Sequence, residues 1–425
     1  MEQLSICYIA LIIMKQLFNS LYRREYEKFI LLIFCIFVIG SVACTNSDVE
    51  TSIDTEYYDS NQGFTGVMGN KVYDSPDGYY FLMNNYLMFA DKNLEQPVFV
   101  CNKAECLHNK ETAENKVNCD AFFGRANSVR YYNGKVYVLA LSLVNQNNDS
   151  TSIYSLDVDG SNRKVIYSSK NDMESMIIHQ GQVYIYEKKY TDESGNMVDS
   201  PVCTVSRFDL KKPDESEVIF ESTDYPNANI NYMKCYQNKL YFDVFGDSFE
   251  SFTCQIDLDS NEIEKYKYDI CDIGKDSMFC VKTISSDSEN LTWEDEYFQC
   301  DMNGKVEKQL TKEQFPILKE NVTFFFADDN YLYFQDIDYG GNMVPLEERK
   351  IHVCTYDGDM VGEIAYGNQG IEYLADFYPG NEKYLFFYVR DDAMNTCYYV
   401  EKDKIKNGTD FNLLYSIENS CQVIQ

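Results

Sequence analysis

Cys101, Cys106, His108 and Cys119 are spaced Cys-x4-Cys-x-His-x10-Cys. Three thiolates and one imidazole form a complete ligand set for tetrahedral structural zinc, and a loop that gathers them can be ordered by the metal instead of by an apolar core. The same residues support a second chemistry. In an oxidising compartment two of the three thiols would pair as a disulfide, leaving one thiol spare and His108 without a role. Zinc and a disulfide therefore stand side by side as expectations for this clamp. A catalytic metal is disfavoured, because four protein ligands leave no open position for water or substrate.

No other motif with a defined chemistry accompanies the cluster. The sequence has no G-x-S-x-G nucleophile elbow, no H-E-x-x-H zinc helix and no Gly-rich phosphate loop, so no catalytic residue is assigned. His179 and His352, the remaining histidines, sit in strand-like text and are expected to be structural. Asp257-x-Asp259-x-Asn261 resembles the start of a calcium loop but lacks its Gly and distal Glu, and it reads as a turn. Acidic pairs such as Asp328-Asp329 and Asp391-Asp392 carry little information in a chain with 68 Asp and Glu. Cysteines in strand text, such as Cys203, Cys254 and Cys354, can be small buried apolar residues.

The scaffold that must position the clamp is a repeat. Strand-turn-strand text recurs at Tyr86 to Val100, Ile153 to Tyr167, Val205 to Phe220, Phe252 to Tyr268, Tyr297 to Leu310, Ile351 to Tyr366 and Tyr398 to Tyr415. The residue two before each turn marks the period: Asp91, Asp157, Asp209, Asp257, Asp301, Thr355 and Glu401. Asp159-Gly160 in the second copy predicts a two-residue turn of a primed type. Upstream of most copies lies a further strand pair, with Val136, Val183, Leu240 and Leu332 in matching positions; in the fifth unit the strand near Met278 lacks the turn signature. About four strands per 40 to 50 residues is one propeller blade. The expectation is an all-β, seven-bladed propeller of four-stranded antiparallel sheets, with six or eight blades as alternatives. The longest interval, from Asp91 to Asp157, is accounted for by an insertion at 101–120 that carries the Cys/His cluster.

Composition bounds the partners. The formal net charge is −31, which repels nucleic acid and favours a soluble monomer. The 36 Tyr and 27 Phe suit half-buried strand faces, although aromatic platforms for glycans use the same residues. Polar stretches at 190–202 and 336–348 predict long loops, a usual seat of binding on a rigid ring.

The N-terminal region reads as an export signal. Arg23, Arg24 and Lys28 precede an apolar run from Phe29 to Ile39, and Ser41-Val42-Ala43-Cys44 resembles a bacterial lipobox. That resemblance implies a lipoprotein signal peptide over 1–43 and a lipid on Cys44, with Met1 or Met14 as the start. An uncleaved anchor is the alternative. Residues 44–66 are polar and acidic and are expected to form a flexible tether, followed by the propeller over 67–425.

The order of blade-one hairpin, Cys101, Cys106, His108, Cys119 and Ala121-Phe122-Phe123, followed by N-G-K-V-Y and D-x-D-G turns, resembles uncharacterised propeller lipoproteins of anaerobic Gram-positive bacteria with TolB-like repeats. The resemblance spans residues 44 to 425. It implies export, a propeller fold and a location on the extracytoplasmic face of the cell membrane, and it brings no established activity. The expected function is non-catalytic binding of a protein, peptide or glycan by a membrane-tethered scaffold. The alternative is a propeller-type polysaccharide lyase or glycosidase with acidic residues at the central channel.

Overall fold

The computed structural model describes residues 62–418, apart from 66–70, 109–117, 142–149, 192–193, 195, 247–248, 275, 288–291, 319–321, 337–343, 372–373, 375, 379 and 391–393. The expected signal peptide, Cys44 and most of the expected tether lie outside the described residues. Among the described residues no helix is long and apolar enough to cross a membrane.

The described chain forms a seven-bladed β-propeller of antiparallel sheets. The blades follow one another in the sequence at 72–99, 124–169, 172–221, 229–266, 269–310, 322–365 and 376–418. Each holds four strands that run from inner to outer in chain order, with Thr409–Asp410 interrupting blade seven before its outermost strand, Asn412–Glu418. Two blades gain a fifth strand: Gly63–Thr65 pairs with Asn229–Tyr236 of blade four, and Thr409–Asp410 pairs with Met360–Ala365 of blade six.

Strand alternation explains the core. Tyr79, Phe81 and Met83 point to one face of blade one and Tyr80 and Leu82 to the other, so each sheet is apolar on both sides. Seven apolar clusters result, one in each blade junction. The Tyr and Phe excess is largely spent there, for example in the stack of Phe326 on Phe377 at 3.8 Å between blades six and seven.

The hairpins expected from the repeat are the third and fourth strands of the seven blades. Val136, Val183, Leu240 and Leu332 occupy equivalent second strands, each one residue in from the turn. Met278 takes the same position in blade five, opposite Ile273, with Asp276 at positive φ supplying the turn. The marker aspartates recur because their carboxylates accept backbone N–H groups of the turn. Asp91 bonds Asn93 and Glu95, Asp257 bonds Asp259 and Ser260, and Asp301 bonds Asn303 and Lys305. The calcium-like Asp257 text is thus a turn.

Two local expectations differ. At Asp159-Gly160 the strands end at Asp157 and resume at Lys164, and Gly160 and Asn162 are at positive φ, so the connection is longer than a two-residue primed turn. Asp157 side-chain bonding to Asn162 closes this wider turn. At 190–202 the polar text is mainly strand, because Gln182–Thr191 and Met197–Asp209 extend their ladder outward. Backbone pairing outweighs polarity there.

Alternating strand direction sorts the connections by face. Second strands end and fourth strands leave for the next blade on one face, the face from which the chain departs at Cys101 and to which it returns at Cys119. The short turns, such as Asn133-Gly134 and Gln180-Gly181, close the other face.

Candidate metal centre and channel-mouth cavity

The insertion leaves blade one from its outermost strand, Val98–Phe99, and returns to the same edge. Val100 N–H donates to the Leu87 carbonyl, and further along the same third strand Leu87 N–H donates to Ala121 and Phe123 N–H to Asn85. Cys101 therefore stands where the chain departs and Cys119 where it comes back. Between them Cys106 closes a turn by donating its N–H to Lys103, and His108 adopts left-handed backbone (φ 54°). Tyr86 donates its hydroxyl to the His108 carbonyl at 3.0 Å, and the imidazole stacks on Phe99 at 4.7 Å.

These turns bring one ligand atom from each of Cys101, Cys106, His108 and Cys119 within 4.8 Å of one another, a grouping compatible with a metal site. Cys119 Sγ lies 3.7 Å from His108 Nδ1. A tetrahedron with Zn–S of ~2.3 Å and Zn–N of ~2.0 Å has ligand-to-ligand edges of about 3.5 Å, close to that separation. The eleven described cysteines are all free thiols, these three included. Burial pushes the Cys119 thiol well above its ordinary range, with Cys106 and Cys101 adding to the shift.

Blade two braces the returning strand. Arg163 donates to the carbonyls of Cys119 (3.2 Å), Asp120 (3.1 Å) and Phe122 (2.6 Å), while its guanidinium lies 4.1 Å from the Phe123 ring centre. Lys103 pairs with Asp120 at 2.9 Å across the neck. Sequence reasoning missed Arg163, Tyr86 and Phe99 as supports, because nothing in their spacing links three separate strands to the loop.

A second feature lies where the first strands of blades two and three begin, at the mouth of the central channel. A cavity of about 550 Å³ is lined by residues of blades seven, one, two and three, among them Lys71, Asn127, Arg125, Asp172, Glu174 and Asn395. Its cations and carboxylates are balanced. Burial raises the Glu174 carboxyl, opposed by Lys188 and Arg125. Lys71 lies over the Tyr388 ring at 4.7 Å.

The remaining histidines have structural partners. His179 Nε2 is 2.6 Å from the Gln237 carbonyl, and His352 lies 2.9 Å from Asp336 and 3.3 Å from Glu363.

No protein-family model matches the sequence, and a search of curated proteins finds no match. Solved structures with similar folds are TolB and peptidase propellers. Two prolyl endopeptidases, analysed for inter-domain dynamics in catalysis and specificity, are represented by a match at 13% identity and a TM-score of 0.50, covering 84% of this chain and 50% of that one. The propeller domain of the Trilobed protease from Pyrococcus furiosus matches at 14% identity and 0.46, covering 66% and 83%. TolB from Acinetobacter baumannii matches at 12% identity and 0.39, covering 82% and 78%. The chain spans about half the length of the endopeptidase it matches, and the likeness at these identities is one of fold.

Proposed function

We propose that this chain is a non-catalytic binding scaffold, held at the extracytoplasmic face of a membrane through a lipid on Cys44, with structural zinc at Cys101, Cys106, His108 and Cys119. The observation that carries the binding reading is the channel-mouth cavity, which combines amide side chains with charge of both signs on a rigid ring. Such a lining suits a neutral ligand rich in donors and acceptors, a protein segment, peptide or glycan, and the acidic surface disfavours polyanions. Zinc is preferred to a disulfide because four ligand atoms converge, His108 among them, whereas a disulfide would use two.

The test is thermal stabilisation by a panel of neutral oligosaccharides and short peptides, run on the native protein and on Asn127→Ala. A stabilising compound that loses its effect in the variant and is recovered unchanged supports a binding scaffold. Turnover of that compound, abolished by Glu174→Gln, would instead establish the lyase or glycosidase reading, which the raised Glu174 carboxyl favours. Anchoring is tested separately: Cys44→Ala should move the protein out of the membrane fraction or leave its signal uncleaved.

A further inference from the structure

We propose that the metal at Cys101, Cys106, His108 and Cys119 fastens the propeller ring at its seam, the junction between blade seven and blade one. The inference rests on the zinc reading above and gives that metal a task. At every other junction the chain itself passes from the outermost strand of one blade to the innermost strand of the next. Among the described residues, blades seven and one are joined by no such link, and neither contributes a strand to the other's sheet. The extra strands Gly63–Thr65 and Thr409–Asp410 go to blades four and six and leave the seam uncrossed.

Closure at the seam thus depends on side chains. Tyr79 of blade one meets Phe386 at 4.8 Å and Tyr384 at 5.9 Å, and Asn84 donates to the Glu418 carbonyl at 2.9 Å. The apolar cluster at this junction also contains Cys119, Ala121 and Phe122, with Cys101 and Cys106 packed against it, beside Leu414 and Ile417 of blade seven.

The outer edge of blade one is where the metal acts. Its fourth strand, Val98–Phe99, has two residues, and the edge is completed by Ala121–Phe123 returning from the insertion. A metal bound to Cys101 on the outgoing arm and Cys119 on the returning arm holds both halves of that edge together. Phe99, Tyr86 and Phe122 are then fixed as one surface, with Tyr86 5.2 Å from Phe99 and 5.1 Å from Phe122. That surface belongs to the seam cluster. Without the metal the returning arm is held by two backbone bonds, by Arg163 and by the half-exposed Lys103, which reaches Asp120 and the Asn118 carbonyl, and the blade-one side of the seam loses its firmest support.

Amide exchange read by mass spectrometry tests this on the full chain purified under reducing conditions. Zinc content is measured first, then exchange with and without a zinc chelator, and again after zinc is restored. The expected result is one zinc per chain, with removal accelerating exchange about tenfold or more at Tyr86–Met88, Cys397–Tyr399 and Leu414–Ile417 while 229–310 is unchanged, and zinc reversing the change. His108→Ala should reproduce the chelator pattern; the chelator arm decides the question if that variant does not fold. Protein that never holds zinc overturns the zinc reading and this proposal together. Bound zinc with acceleration confined to 98–123, or spread evenly round the ring, overturns the seam role and leaves the zinc site standing.

Discussion

Gly160 shows how a single absent side chain sets the distance between two blades. A Cβ there would lie 2.4 Å from the Val100 carbonyl oxygen, next to Cys101, and φ is +89°. Gly160→Ala must therefore bear both left-handed strain and displacement of the strand that enters the metal site, and should cost about 2 kcal/mol in chemical denaturation. Arg163 acts on the same site from blade two. Its bonds to the carbonyls at 119, 120 and 122 all leave from Nη1, while its planar guanidinium lies against the Phe123 and Tyr154 rings at 4.1 and 4.9 Å, a contact that a compact ammonium does not reproduce, so Arg163→Lys should not restore all that Arg163→Ala loses. Both variants should bind zinc about tenfold or more weakly in competition with a chelating indicator, with the ligands themselves intact. The Cys/His cluster was legible in sequence because metal ligands must be Cys, His or carboxylate. Its supports were not, since any residue with the right reach serves.

Single sheets carry buried carboxyl groups that the repeat pattern does not announce. Asp243, on the second strand of blade four, is 4% exposed and accepts from Thr253 and from the Ile270 N–H of the next blade. Burial pushes its carboxyl well above the usual range, with Asp269 adding to the shift. The folded state consequently keeps this proton where the unfolded chain has released it, and the protein loses stability as pH rises above the ordinary carboxylate range toward the folded value. Denaturation midpoints measured from pH 4 upward should fall less steeply for Asp243→Asn than for the native protein; equal slopes would reject the assignment. The strands themselves were readable from alternation and turn residues, and the Asp markers worked because a turn rewards a carboxylate two residues ahead. The stretch at 190–202 was misread as loop because composition reports exposure, while a ladder needs only backbone groups.

For the whole ring, the blade count followed from period alone, but the contents of the channel did not. Residues 44–66 read as tether, and within the described part of that stretch Gln62 to Thr65 are instead built into the propeller. Gly63–Thr65 pairs with Tyr232–Lys234, and the Gln62 carbonyl accepts from Cys235 N–H at 3.0 Å. The Gln62 side chain, 2% exposed, accepts from Ile178 N–H at 2.7 Å and donates to the Tyr131 carbonyl at 3.4 Å. One residue thus ties the innermost strands of blades two, three and four. A mostly polar segment with Phe64 as its one large apolar residue gave no sign of this, because its stabilisation comes largely from backbone groups of distant strands. Gln62→Ala removes the side-chain acceptor of a buried N–H and should cost about 1–3 kcal/mol in chemical denaturation. Gln62→Glu separates that bond from simple loss of packing. A protonated carboxyl can accept from Ile178 and donate to Tyr131 as the amide does, whereas the ionised form is a buried charge that cannot donate. Burial raises the folded pKa of that new carboxyl, so the variant should approach native stability at low pH and fall away from it as pH rises through and above the ordinary glutamate value. A Gln62→Glu protein as stable as the native one at neutral pH would show that the channel end is open to water and that Gln62 does not bind the three blades together.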